Sequence, residues 1–165
     1  MPIQNALTRA IAPLASLPNS LRVRAASLMF GTVVPFVGTS GLRYEELAAH
    51  RVVVSVRNRR KVQNHIKGVH AAAMALLAET ATGFVVGMNL SDDKLPLIKS
   101  LHVDYTRRSV GDMRAVATLT DEQIALIHRE PKGEVTVPVI VTDESGQEPV
   151  QCTMVWAWVP KKRDQ

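Results

Sequence analysis

The chain has 165 residues, 46% of them hydrophobic and 21% charged, enough for one domain with a full apolar core. Its single cysteine, Cys152, excludes an internal disulfide and zinc-type CxxC pairs, and fits a reducing cytoplasm. The formal charge of +5 favours an anionic partner; with 4% aromatic residues for base stacking and no nucleic-acid motif, nucleic acid is set aside and a phosphorylated small molecule is kept.

Residues 1–40 read as a helical arm packed on the main domain. Leu7, Ile11, Leu14 and Leu17 repeat at helical spacing, and Leu21 to Phe30 form a second short helix. Pro35, Gly38 and Gly41 then break the pattern. The apolar run 27–37 is too short to span a bilayer and contains Pro35, so no stable membrane insertion is expected. It also lies too far in for a secretory signal.

The main domain is expected at 41–160, followed by a basic tail at 161–165. Residues 42–47 read as a short strand, and the β-branched run 51–57 as a better one. A basic loop, NRRKVQNHIK, covers 58–67, and a long helix covers 69–87. In 99–107, Leu101, Val103 and Tyr105 alternate with Ser100, His102 and Asp104, as in a strand. Residues 113–119 follow as another strand and 121–129 as a short helix or irregular crossing. Val135, Val137, Val139 and Val141 share one face of a strand over 134–143. DESGQ at 143–147 is a hairpin turn, and 150–159 the last strand. Cys152 falls in the core, and Trp156 and Trp158 at packing or interface positions. His102 and Asp104 alone make a poor metal site, so no metal is expected.

These elements define an α+β class: one long helix with five or six mostly antiparallel strands. A helix apolar on every face cannot be covered by a flat sheet. The sheet must curl around it, and alanines at 71, 72, 73, 75, 78 and 81 allow close wrapping. That is the hot-dog architecture.

Within 69–87 a single side chain is charged, Glu79. An ionised carboxylate in apolar surroundings costs several kcal/mol unless it is paired or its pKa rises. Such a residue is a candidate for catalysis.

Asn64, Gly68, His70 and Glu79 form the pattern N-x-x-x-G-x-H-A-A-x-x-x-x-x-x-E. This resembles the N…G…HGG…D/E pattern of hot-dog acyl-CoA thioesterases of the phenylacetate type, over roughly residues 41–160. The resemblance implies that Asn64 orients substrate or water, that the Ala71 N–H polarises the thioester carbonyl, and that Glu79 is base or nucleophile. His70 belongs to the same pattern, and at a helix start it also suits a structural hydrogen bond. The substrate implied is an acyl-CoA or related thioester, with no cofactor beyond the CoA moiety itself. The sequence departs from the pattern at Ala71 and Ala72, where the family has glycines, and at Ile98, where some members carry a polar residue; Lys99 or Ser100 are the nearest substitutes. Those departures leave a second reading, an acyl-CoA or acyl-carrier binding protein without turnover. A dehydratase would need a proline-bearing histidine loop that is missing here.

Ala71 and Glu79 are eight residues apart, about 12 Å along one helix at ~1.5 Å per residue. One reacting carbon must lie roughly 3 Å from both donor and carboxylate. Two antiparallel helices from two chains meet that demand, so a homo-oligomer is expected, a dimer or a dimer of dimers. Arg59, Arg60, Lys61, Arg107 and Arg108 are candidates for the phosphates of CoA.

Overall fold

A computed structural model describes residues 3–161. All but the first residue of the expected basic tail lies outside the described residues.

The arm is three helices and a turn. Asn5 caps α1 (Ala6–Ile11) through a capping box: its side chain accepts from the Thr8 N–H at 2.8 Å, and the Thr8 hydroxyl accepts from the Asn5 N–H at 2.8 Å. A 3-10 turn, Ala12–Ser16, leads to α2 (Asn19–Val33) and then α3 (Pro35–Ser40). Pro35 was expected to break the pattern, and it does end α2. It also starts α3, because the first helical position needs no N–H. Gly41, at φ 71, closes α3 in the left-handed conformation. Asn5 also fastens the arm down: its buried amide donates to the carbonyl of Gly87, the last residue of the long helix, at 2.8 Å and to that of Leu90 just beyond it at 2.7 Å.

The strands are β1 (Arg43–Leu47), β2 (Arg51–Val56), β3 (Lys94–Tyr105), β4 (Met113–Thr118), β5 (Gly133–Val137), β6 (Val139–Asp143) and β7 (Val150–Pro160). Every pairing is antiparallel, in the orders β1-β2-β4-β6 and β3-β7-β5. The strand expected over 134–143 is thus two strands. Pro138 lacks an N–H and interrupts the ladder, so the chain leaves the β7 pairing and enters the β4 pairing. Its carbonyl accepts from the Thr118 N–H at 3.1 Å. With β6 also packed on β7, this break curls the two sheets into one wrap.

Inside it lies α4 (Ala71–Gly87), in contact with β2, β3, β4, β6 and β7. Leu77, Ala78, Ala81, Val85 and Val86 are wholly buried. The helix starts two residues later than expected because His70 is extended (φ −65, ψ 143) and acts as the N-cap. β3 starts five residues earlier than expected. Pro96 sits within it, tolerated because β3 pairs with β7 alone and its other edge is free among the described strands. A bulge falls between Ile98 and Ser100. The segment 121–129 is a helix, α5 (Asp121–Arg129), with Thr120 and Gln123 forming its capping box.

Gly83 lets the Trp156 ring lie against α4: a Cβ there would meet Trp156 Cζ2 at 2.6 Å. Trp156 Nε1 is fixed beside it, donating to Thr82 Oγ1 at 2.9 Å. Alanine usually gains about 1 kcal/mol over glycine inside a helix. Here overpacking, at about 1–3 kcal/mol, reverses the sign. Gly83→Ala is expected to lower the thermal midpoint by several degrees, measured by calorimetry or circular dichroism; a rise would show that the ring is free to move.

Candidate active site

Glu79 projects from the middle of α4 into a cavity of about 360 Å³ between the arm and the sheet. Phe30, Val34 and Val37 of the arm line it on one side, Gly83 and Phe84 of α4 and Trp156 of β7 on the other. Glu79 is the one charged residue in that lining. The helix is therefore not buried all round: Glu79 is half-buried at an opening of the core. Among the described residues its carboxylate has one hydrogen-bond partner, the Thr80 hydroxyl 3.5 Å away, and no cation pairs with it. Burial raises its pKa above the ordinary carboxylate value, and the Thr80 hydroxyl offsets this in part.

Tyr44 of β1 belongs to the same neighbourhood and carried no signal in the sequence beyond lying in a strand. Its ring packs 4.6 Å from Phe84 and 5.1 Å from Phe30, centroid to centroid, behind the cavity wall. Its hydroxyl is buried without a protein partner among the described residues. Burial first, and then the charge of Glu79, push its pKa upward.

The other end of α4 holds the remaining motif residues. His70 Nδ1 accepts from the Ala72 N–H at 3.1 Å, so the ring caps the helix. The His70 carbonyl takes the N–H groups of Ala73 at 2.9 Å and Met74 at 3.1 Å. Of the four first-turn donors, the Ala71 N–H alone has no protein partner among the described residues. Asn64 organises the preceding loop. Its Oδ1 accepts from the N–H groups of Ile66 and Gly68, each at 3.1 Å, leaving its amide NH₂ available. Asn64, His70 and Ala71 thus stand together at the helix start, while Glu79 is ~12 Å along the axis. One chain does not bring donor and carboxylate together. Lys99, a possible stand-in for the family's polar strand residue, is ion-paired with Glu134.

The basic candidates separate. Arg59 caps a 3-10 turn, Arg60–Val62, and Arg59 and Lys61 line a second cleft of about 840 Å³ together with Arg24, Arg43 and Arg57. Arg60, Arg107 and Arg108 are not in that lining. Arg107 is bound to buried Asp143 at 2.7 Å. Burial alone would raise the Asp143 pKa, but bonds from Ser145, the Val110 N–H and Arg107 outweigh it and bring the pKa to about 2. Arg107 therefore locks the 143–147 turn. Arg108 donates to the Ile66 carbonyl at 3.3 Å.

The chain belongs to the family described as "Domain of unknown function (DUF4442)", which matches residues 22–159. The match begins inside α2, so it takes in Phe30, Val33, Val34 and Val37 of the Glu79 cavity lining but not Leu7 of α1. Solved structures share the fold. A Pseudomonas aeruginosa protein of unknown function, described as a probable thioesterase, is 27% identical at a TM-score of 0.73, covering 88% of this chain and 97% of its own. A putative thioesterase from Shewanella oneidensis is 12% identical at 0.71, covering 84% and 97%. A thioesterase family protein from Silicibacter pomeroyi is 14% identical at 0.63, covering 87% and 100%. No curated protein matches. The fold is the hot-dog fold, as the sequence pattern implies. Among the described residues no helix is long and apolar enough to cross a membrane.

A carboxyl with a raised folded-state pKa binds its proton more tightly folded than unfolded. Its contribution is most favourable below the unfolded value of about 4.5, and is lost as pH rises through the folded value. Glu79→Gln removes that loss. The variant should gain stability relative to wild type as pH rises from 4 to 8, followed by urea unfolding across that range; a gap independent of pH would mean that Glu79 is not strained.

Proposed function

We propose that the protein is a thioester hydrolase acting on an acyl-CoA or related thioester, at sites shared between two copies of the chain. The observation that carries this is Glu79: a carboxylate with no ion pair among the described residues and a raised pKa, at the mouth of an apolar cavity sized for an acyl group. Glu79 takes a proton from water, and the oxygen adds to the thioester carbon. The resulting oxyanion is held by the Ala71 N–H of the partner subunit, at the positive end of its helix. The C–S bond then breaks, and the leaving sulfur takes the proton back from Glu79, giving free acid and thiol. Direct attack by Glu79 on the same carbon breaks the C–S bond and expels the thiolate, leaving an anhydride; water opens it to the free acid and restores the Glu79 carboxylate, and the proton released goes to the thiolate.

The free edge of β3 supports the shared site. Leu95, Leu97, Ile98 and Leu101 on it are each 38–47% exposed, an apolar strip that a second copy would cover. Homodimerisation there, with or without pairing of dimers, supplies the second helix that the geometry needs. The methyl groups of Ala71 and Ala72, exposed where the family pattern has glycine, favour one rival reading: ligand binding without turnover.

A panel of acyl-CoAs scored for thiol release tests the activity. Some member should be hydrolysed above background, and Glu79→Gln should lower its kcat by about 10²-fold or more. Binding without release would establish the rival reading instead.

Ala71→Pro tests the donor cleanly. The first helical position accepts proline, and His70 is already in the extended conformation that precedes one. The lost N–H has no protein partner among the described residues, so the fold should hold while kcat falls by about 10²-fold. In heterodimers of Glu79→Gln with Ala71→Pro, one site regains both groups. Activity should return to roughly half of wild type, in co-expressed and doubly tagged protein. No return would place the site within one chain.

A further inference from the structure

We infer that the larger cleft, between the arm and the segment after β2, is a binding site for a group carrying two or more phosphate charges. Arg24 enters it from α2, Arg43 from the start of β1, and Arg57, Arg59 and Lys61 from the chain after β2. No carboxylate lines it.

These five cations form no ion pair among the described residues. Arg9, Arg51, Lys99, Arg107, Arg114 and Arg129 each have a carboxylate within reach. What sets the five apart is their convergence on one cleft that no carboxylate lines. Glu45 senses the charge of Arg43, but its carboxylate is bonded to Arg114 at 2.9 Å and lines a different cavity. Converged like charges repel, and an anion in their midst relieves the repulsion.

The cleft wall is shaped for the purpose. Gly41 lines it at φ 71, where a Cβ would lie 2.8 Å from Lys61 Nζ, so the glycine makes room for the ammonium group. Gly31 and Gly38 meet there at the crossing of α2 and α3: a Cβ on Gly38 would lie 2.4 Å from the Gly31 oxygen. The volume, about 840 Å³, exceeds what one inorganic phosphate fills and suits a pyrophosphate with an organic group attached. Arginine forks match phosphate oxygens two at a time.

The α2–α3 corner stands between this cleft and the Glu79 cavity. Phe30, Val34 and Val37 face the cavity; Leu28, Gly31 and Gly38 face the cleft. Two sources of the same chemistry fit: the phosphates of the carrier whose thioester reaches Glu79, or a separate soluble polyphosphate. The inference itself does not depend on hydrolysis.

Calorimetric titration of the full chain with inorganic pyrophosphate tests it without turnover. The result expected is one saturable site per chain, weakening as salt rises. Arg24→Ala with Arg57→Ala should lower the affinity about 100-fold, near tenfold for each charge-assisted contact. Arg59→Gln, on the exposed loop, should lower it about tenfold and serves if the double variant unfolds. Arg129→Ala, which removes a guanidinium paired with Glu130 on α5, should leave it unchanged. The inference is overturned by no saturable binding at millimolar pyrophosphate, by equal losses in Arg129→Ala, or by binding to phosphatidylglycerol vesicles alone. If pyrophosphate competes with a hydrolysed acyl-CoA, the carrier is the source. If it binds without competing, the source is a separate ligand. Either result upholds the site, and a failed hydrolysis assay leaves the binding measurement standing.

Discussion

Enclosing a helix that is apolar on almost every side is the constraint from which the rest of this molecule follows. Apart from the half-buried Glu79, α4 offers no polar side chain to solvent along its centre, so one flat sheet would leave much apolar surface wet. The break at Pro138 resolves this by passing one stretch of chain from the β7 ladder to the β4 ladder. Small side chains on α4 let the wrap close tightly, and Gly83 admits the Trp156 ring. Packing of this kind tolerates little added volume.

The arm covers what the sheet leaves open, and does so with two different faces. Asn5 satisfies carbonyls at the end of α4, while Phe30 joins Tyr44 and Phe84 in one aromatic cluster. The apolar side of the α2–α3 corner walls the Glu79 cavity, and the other side walls the cationic cleft. A single hairpin of helices therefore separates an apolar cavity from a cationic cleft.

Glu79 sits at this junction at a cost in stability, since burial disfavours its charged form and Thr80 compensates weakly. The helix start answers with the opposite polarity. His70 caps one donor, its carbonyl takes two more, and the Ala71 N–H remains over. Helix geometry keeps these two features ~12 Å apart on one chain. The exposed apolar edge of β3 gives the molecule a surface on which a second copy could bring them together.

What the sequence by itself determined was whatever depends on local periodicity and on a residue's mismatch with its neighbours. Alternating valines marked strands, the unbroken apolar run marked a buried helix, and Glu79 stood out as the one charge inside it. The boundaries at Pro35, Pro96 and Pro138 were harder, because proline ends, starts or edges an element according to which backbone groups face a neighbour. Only the tertiary structure decided who meets whom. Arg107 and Arg108 are adjacent in the chain, yet Arg107 reaches Asp143 while Arg108 turns to the Ile66 carbonyl. Arg24 and Arg43 gave no signal as partners of the basic loop, since they come from a helix and the start of a strand. Tyr44 is ordinary in its strand and becomes notable only beside Glu79. Periodicity records how much of a residue is buried, whereas electrostatics depends on distance in space, and that distance is set by the topology that encloses α4.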